Sequence, residues 1–497
     1  MSKTFFGHPG GLSTLFFTEF WERFSYYGMR AILILFMTTP AAQQGLGLDT
    51  ETAGAAYGLY TAAVYLLALP GGWIADNLLG QKKTIWYGGI LIMIGHAILA
   101  VPAGPGIFFT GLAFVASGTG LLKPNISSIV GSLYGDDKGA RRDAGFSIFY
   151  MSINLGSFLG QIIVPIAADW DWHVGFGLAA IGMFFGLLWF RMSEKTSLAG
   201  VGEAPKKAVD SIGNPIESHN SKGIFRIGLP LLLIGILAVL QLTGQIELTS
   251  ITGIAEAMKI IIVLIVVFYF LTVIFGGDLT SKEIKKILVI GVLFMGAAVF
   301  WSGFEQAGSA LNLYARDFTA RTIFGWEMPA GVLQSVNPAF IIIFAPLIGA
   351  LWVKLAAKNI NPRTPVKFAI GLILLGLGFL VMVYAARIAT TGAQTGMFFL
   401  VLCYFFHSIG ELTLSPVGLS AMTKLAPVKL VGQMMGIWFV ATALGNLIAG
   451  TFGGNFDPSN VQQMPDLFMT FVKLPVGAGL VMLALSPIFH KWMDDVV

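Results

Sequence analysis

Apolar residues run along this chain in long unbroken stretches, and fourteen of these approach the ~20 residues that carry a helix across a bilayer. They fall near residues 13–38, 53–75, 84–103, 107–130, 144–167, 174–192, 225–243, 255–275, 287–313, 330–354, 366–386, 396–422, 431–452 and 468–489. Strands of a membrane barrel would alternate apolar and polar positions over about 10 residues. These runs are longer and continuously apolar, so they predict helices. The first run is too long for a cleavable leader and reads as a true span. Gly156-Ser-Phe-Leu-Gly160 adds a small-residue spacing that lets two membrane helices approach closely.

The polar breaks between runs predict organisation. The longest, 193–223, holds Ser, Lys, Glu, Asn and Pro and no long apolar run, so it reads as a linker. Six spans precede it (1–192). A hairpin almost free of interior charge follows (224–276), and then six more spans (277–497). Six plus two plus six predicts a duplicated transporter body with an inserted helix pair. With the N-terminus taken as cytoplasmic, only Lys259, Arg316, Arg321, Arg387 and Lys473 fall on the far side, and Arg23, Arg30 and Lys123 lie within spans. The remaining lysines and arginines are all cytoplasmic, which places both termini there.

Composition agrees with immersion in lipid. Only 11% of the 497 residues are charged, against roughly 25% in soluble domains. A cytosolic enzyme, a disordered chain and a secreted disulfide scaffold are excluded on that ground, a single cysteine, Cys403, excludes an internal disulfide, and no nucleic-acid partner is expected.

Charges inside the spans are therefore costly, at about 2.5–3.5 kcal/mol each, and mark functional positions by default. The first helix reads Glu19-Phe-Trp-Glu22-Arg23-Phe-Ser-Tyr26-Tyr27-Gly28-Met-Arg30. Positions 19, 22/23, 26/27 and 30 recur at helical spacing and predict one polar stripe. The fourth helix carries Lys123 beside Pro124, which weakens the backbone ladder there. Trp301 and Glu305 are i, i+4 neighbours, as are Glu411 and Ser415, and Asn154 and Asn337 add amides. His407 and Glu411 lack the third ligand that zinc requires, so no metal is expected, and His407 and His96 read as hydrogen-bonded packing residues or minor polar lining. Four glutamates (19, 22, 305, 411) against Arg23, Arg30 and Lys123 leave one excess negative charge. One proton would neutralise it, and a zwitterionic ligand would leave that balance intact.

These motifs resemble the proton-coupled oligopeptide transporter (POT) family of the major facilitator superfamily. The resemblance is carried by Glu19, Glu22 and Arg23 as ExxER, by Phe149, Tyr150, Ile153, Asn154 and Gly156, and by Gly410-Glu411-Leu-Thr-Leu-Ser415-Pro416. Gly71 to Lys83, with Asp76, Lys82 and Lys83, is similar to the superfamily's loop between helices 2 and 3, and implies a gating role for those three. The resemblance spans the chain and implies the major facilitator fold, with the extra helix pair of bacterial members and an inner-membrane location. It implies a symporter, not an enzyme, that imports di- and tripeptides with protons as the coupling ion and no other cofactor. Glu19, Glu22 and Glu305 would exchange protons, the first two pairing with Arg23 and Lys123. Arg23, Arg30 and Lys123 would attract the peptide carboxylate and Glu411 the amino group. Asn154 and Asn337 would grip the backbone, and Tyr26, Tyr27, Tyr65, Trp301, Trp438 and Ser415 would line side-chain pockets. Residues 52–76 hold no histidine, so coupling cannot rest on one there as it does in animal members. A proton-coupled drug antiporter or a small-anion transporter on the same scaffold is the alternative. A P-loop ATPase is excluded because Gly-Lys never occurs.

Overall fold

In the computed structural model the described residues are 4–135, 139–203, 236–237, 239–276, 279–358, 360 and 362–493. The chain is almost entirely helical: α1 (Gly11–Thr38), α2 (Thr50–Leu66), α3 (Ala68–Ile74), α4 (Gln81–Leu99), α5 (Gly104–Ser132), α6 (Ala140–Ala168), α7 (Trp172–Ser197), α8 (Ile251–Phe275), α9 (Ser281–Phe304), α10 (Ala310–Phe318), α11 (Val336–Ala357), α12 (Thr364–Ala389), α13 (Phe398–Leu425), α14 (Val431–Gly454) and α15 (Met464–Trp492). Thirteen of the fourteen expected runs lie on these helices. The other, 225–243, lies outside the described residues apart from 236–237 and 239–243. Eleven segments are long and apolar enough to cross a membrane among the described residues. Helix α1 is not one of them, because Glu19, Glu22, Arg23 and Arg30 interrupt every apolar window, and yet most of its residues are buried in the molecule.

Local signals set the helix ends. Thr280 and Glu283 form a capping box at the start of α9, and Asp49 caps α2 through the Thr52 N–H. That N–H holds the Asp49 carboxyl below the usual carboxylate range. The only strands among the described residues are two-residue pairs in the terminal and loop segments.

Helix α1 packs against α6 and α7, α4 against α5 and α7, α12 against α13 and α15, and α9 against α14. Close approach follows from missing side chains. A Cβ on Gly156 or Gly160 would strike the carbonyls of Phe20 and Phe24, so α1 and α6 touch backbone to backbone. The same device joins the first and second halves of the chain, where Gly54 and Gly58 of α2 lie against Asn446, Gly450 and Gly454 of α14. Helix α8 rests on α14 and α2; its most apolar stretch has mean hydropathy 2.8 but is only 11% buried, which fits a lipid-facing position.

Three predicted continuous runs are broken. Residues 330–354 divide into a 3-10 segment, Ala330–Ser335, and α11. Residues 53–75 divide into α2, α3 and a π-turn at Ala75–Leu79, with Pro70 just inside α3. Residues 287–313 divide into α9, a 3-10 turn at Glu305–Gly308, and α10. Hydropathy is blind to such breaks, because the residues on both sides remain apolar.

Candidate transport site

The polar stripe of α1 is real but narrower than its spacing predicts. Glu19, Arg23, Tyr27 and Arg30, at i, i+4, i+8 and i+11, face one cavity. Glu22 and Tyr26 do not line it. Tyr26 is buried behind it, stacked on Tyr60 with ring centroids 6.3 Å apart, so its expected role in a side-chain pocket is corrected to packing. Glu22 is buried in a triad with Arg23 and Glu19: Arg23 Nε lies 3.2 Å from Glu19 and bonds Glu22 directly. Two carboxylates on one guanidinium leave that cluster one negative charge in excess.

The 3-10 turn places Glu305 opposite. Gln306 fixes the turn by donating to the carbonyls of Ser302 (3.1 Å) and Ala449 (2.9 Å), and Ser309 Oγ donates to Gln306 Oε1. A 3-10 segment inside a long helix commonly marks a functional hinge. Glu305 Oε2 receives Arg30 Nη1 at 2.8 Å and the Tyr57 hydroxyl at 3.4 Å. Arg30 and Tyr57 come from the first half of the chain and Glu305 from the second, so this buried pair ties the halves together. The Tyr57 hydroxyl also occupies the space where a side chain on Gly308 would stand.

The cavity has a volume of about 260 Å³, just below the ~300–1,000 Å³ typical of ligand pockets. Lys123, Tyr65, Asn154, Trp301, Asn337, Glu411, Ser415 and Trp438 all line it, so most of the predicted set comes together. Lys123 differs from expectation. It makes no ion pair with the glutamates among the described residues, and its Nζ lies 4.4 Å from the Tyr65 ring centroid. Arg30 likewise stands over Tyr27, at 4.8 Å. On the other wall Glu411 Oε2 is buried without a hydrogen-bond partner. Asn154 Nδ2 donates to the Tyr150 carbonyl and Asn337 Nδ2 to Ser408 Oγ, which leaves each amide its oxygen and a second N–H.

One end of the cavity is sealed. Beyond Arg30–Glu305, Arg316 Nη1 donates to Thr38 Oγ1 at 2.8 Å, Asn312 reaches the Ala31 carbonyl, and α2 closes on α14 through its glycines. Tyr150, on the wall away from this seal, keeps 41% of its surface exposed.

The three residues assigned to gating are not brought together. Asp76 lies exposed on the π-turn and makes no ion pair among the described residues. Lys82 pairs with Glu203 and donates to the Leu198 carbonyl, and Lys83 is exposed. His96 is fully buried with neither ring nitrogen hydrogen-bonded, contrary to expectation. His407 lines the cavity and meets Cys403 Sγ at 3.5 Å through Nε2. Among the described residues no three His, Cys, Asp or Glu side chains group as a metal site.

Sequence reading missed several wall residues. Tyr150 was present in a motif without a role. Gln161 lies two turns after Asn154, Gln334 one turn before Asn337, and Tyr404 one turn before His407. Helical spacing from a known wall residue was the available signal for each.

A family model described as the POT family matches residues 82–464. The peptide transporter YePEPT of Yersinia enterocolitica is 41% identical, over 98% of this chain and 96% of that protein. The di-/tripeptide transporter of Lactococcus lactis subsp. cremoris is 40% identical, over 99% and 98%. The crystal structure of a peptide transporter POT in complex with sulfate superposes with a TM-score of 0.86 at 40% identity, over 99% of this chain and 97% of that one.

Proposed function

Because this chain belongs to the POT family, whose members are transporters and not enzymes, we propose that it imports di- and tripeptides together with protons by alternating access. The reading is carried by one observation: a small cavity between the halves holds on one wall a cation, Lys123, with no ion pair among the described residues, and on the other the carboxylate of Glu411, whose Oε2 has no hydrogen-bond partner among them. A peptide keeps its two charged ends and backbone amides whatever its side chains. A site that grips both ends between aromatic walls is permissive in sequence and strict in length.

In this reading Lys123 receives the peptide carboxylate first, since no carboxylate has to release it. Arg30 is held by Glu305 and Arg23 by Glu19 and Glu22. Protonating Glu305 removes its attraction for Arg30, which frees the guanidinium for the substrate and loosens the tie between the halves. Glu19 and Glu22 act in the same way on Arg23. Glu411 holds the amino terminus, and Asn154 and Asn337 accept N–H groups along the backbone. Ligand and proton thereby bias one equilibrium between sealed and open ends.

The chain would sit in a bacterial inner membrane as two six-helix halves, 1–192 and 277–497, with both termini cytoplasmic. The sealed end then faces outward and the cavity opens inward. Uptake of labelled dialanine into proteoliposomes, with and without an imposed pH gradient, tests the proposal. Gradient-driven accumulation is expected. Accumulation indifferent to the gradient refutes coupling, and efflux against a gradient points to the antiporter alternative.

A further inference from the structure

The carbonyl oxygen of Ala31, in the second half of α1, stands at the sealed end one residue past the Arg30–Glu305 pair. Asn312 Nδ2 donates to it from α10 at 2.8 Å, and Gln334 Nε2 from the 3-10 segment Ala330–Ser335 at 3.4 Å. A Cβ on Gly331 would stand 2.8 Å from the same oxygen. Three points of the second half of the chain thus converge on one carbonyl of the first.

The two amides differ in what lies on their other side. Asn312 does not line the cavity, although its Oδ1 is likewise buried without a hydrogen-bond partner. Gln334 lines it, is 2% exposed, and its Oε1 has no hydrogen-bond partner. A primary amide donates at one end and accepts at the other. Gln334 gives one of its two N–H donors to the seal and keeps an unpartnered acceptor buried beside the cavity, in the neighbourhood of Asn337 on the next helical turn.

We infer that Gln334 couples cavity loading to sealing: its Nε2 ties the sealed end to the Ala31 carbonyl while its Oε1 accepts an N–H of the bound peptide. The inference rests on the peptide reading above. An empty sealed cavity carries a buried acceptor with no donor, which disfavours it. A loaded one supplies the donor. The ligand therefore interacts differently with the sealed and open forms through this residue, which is what a shift between them requires. Asn312 strengthens the same seal without touching the load, and so separates the two effects.

The test uses the purified full-length chain carrying Ala330→Cys. Ala330 is 5% exposed and borders the outer pocket beside Arg316 and Trp172, while the native Cys403 is buried. A hydrophilic maleimide labels position 330 only when the sealed end opens, and saturating dialanine slows labelling by some protection factor. Gln334→Met is expected to cut that factor roughly three- to tenfold, the range of one net hydrogen bond. Asn312→Leu is expected to raise the basal labelling rate and leave the protection factor unchanged. Gln334→Asn, one methylene shorter with the same chemistry, should follow Gln334→Met and serves if the latter does not fold. A Gln334 variant with the parent's protection factor overturns the inference, as does an equal loss in Asn312→Leu. Failure of the parent to bind or take up dialanine overturns the peptide reading and this inference with it, whereas binding with unaltered Gln334 behaviour overturns this inference alone.

Discussion

Replacing Glu305 by Gln removes one charge at nearly constant volume, where Arg30 Nη1 stands 2.8 Å from the carboxylate and both side chains are buried. At an effective dielectric of about 20, two unit charges at that distance attract by about 6 kcal/mol. Desolvation offsets much of this, and removing one partner of a buried pair costs about 3–5 kcal/mol net. The sealed form would lose that amount in the variant, as it does transiently when the native carboxylate takes a proton. Glu305→Gln thus behaves as a permanently protonated carrier. At 100 mV each coupled proton is worth about 2.3 kcal/mol, roughly a 50-fold accumulation of peptide. In proteoliposomes the variant is expected to exchange labelled for unlabelled dialanine across the membrane while its driven accumulation falls to a ratio of about 1. Accumulation at the wild-type ratio would remove Glu305 from coupling.

Other expectations separate stability from transport. Arg23→Ala strands Glu19 and Glu22 in a buried site, so it should lower stability by about 3–5 kcal/mol as well as abolish uptake, read by thermal unfolding in detergent beside the transport assay. Lys123→Ala breaks no ion pair and should cripple uptake with little change in melting; a large loss of stability would show an unrecognised partner. Glu411→Ala should weaken free dipeptides more than amino-blocked ones, and equal losses in competition binding would break the assigned polarity. Asp49 is held in its charged form by the Thr52 N–H, so its stabilisation is present above its unfolded pKa and fades as pH falls through the lower folded value. Asp49→Ala should cost about 1 kcal/mol at neutral pH and less below that range, measured by unfolding at two pH values.

The fold was legible because lipid imposes a single demand, continuous apolar length, and apolar length survives in the sequence. Most of the cavity was legible for the inverse reason. A charge or amide within such a run has few places to go except inward, which is why Lys123, Glu305 and Glu411 converge as their positions imply. Geometry finer than a helical turn was not legible. Glu22 and Tyr26 share the stripe's spacing with Arg23 and Tyr27, but a rotation of about 100° per residue turns them out of the cavity wall. The 3-10 turn at Glu305 leaves no hydropathic trace. Its cause is tertiary, lying in the bonds of Gln306 to Ala449 and in the Tyr57 ring against Gly308. The Lys82–Glu203 pair joins residues 121 apart in sequence, which local reading could not connect.

The placement of the three cations orders the proposed cycle. Arg30 serves both the seal and the substrate, so Glu305 and a peptide carboxylate compete for it directly, and a proton on Glu305 removes one competitor. Arg23 is contested by two carboxylates, so a single proton lowers its hold without abolishing it. Lys123 alone is uncontested, and its ammonium rests against an aromatic face that charges the substrate no ion pair to displace. Docking at Lys123 therefore displaces no carboxylate. Release of Arg30 has to wait for the proton, because the electrostatic attraction of a buried pair exceeds what one further charge–charge contact at the cavity edge supplies. For import the outer seal therefore yields to the proton before an external peptide reaches Lys123, and each step follows from which cations already have partners rather than from the total charge of the site.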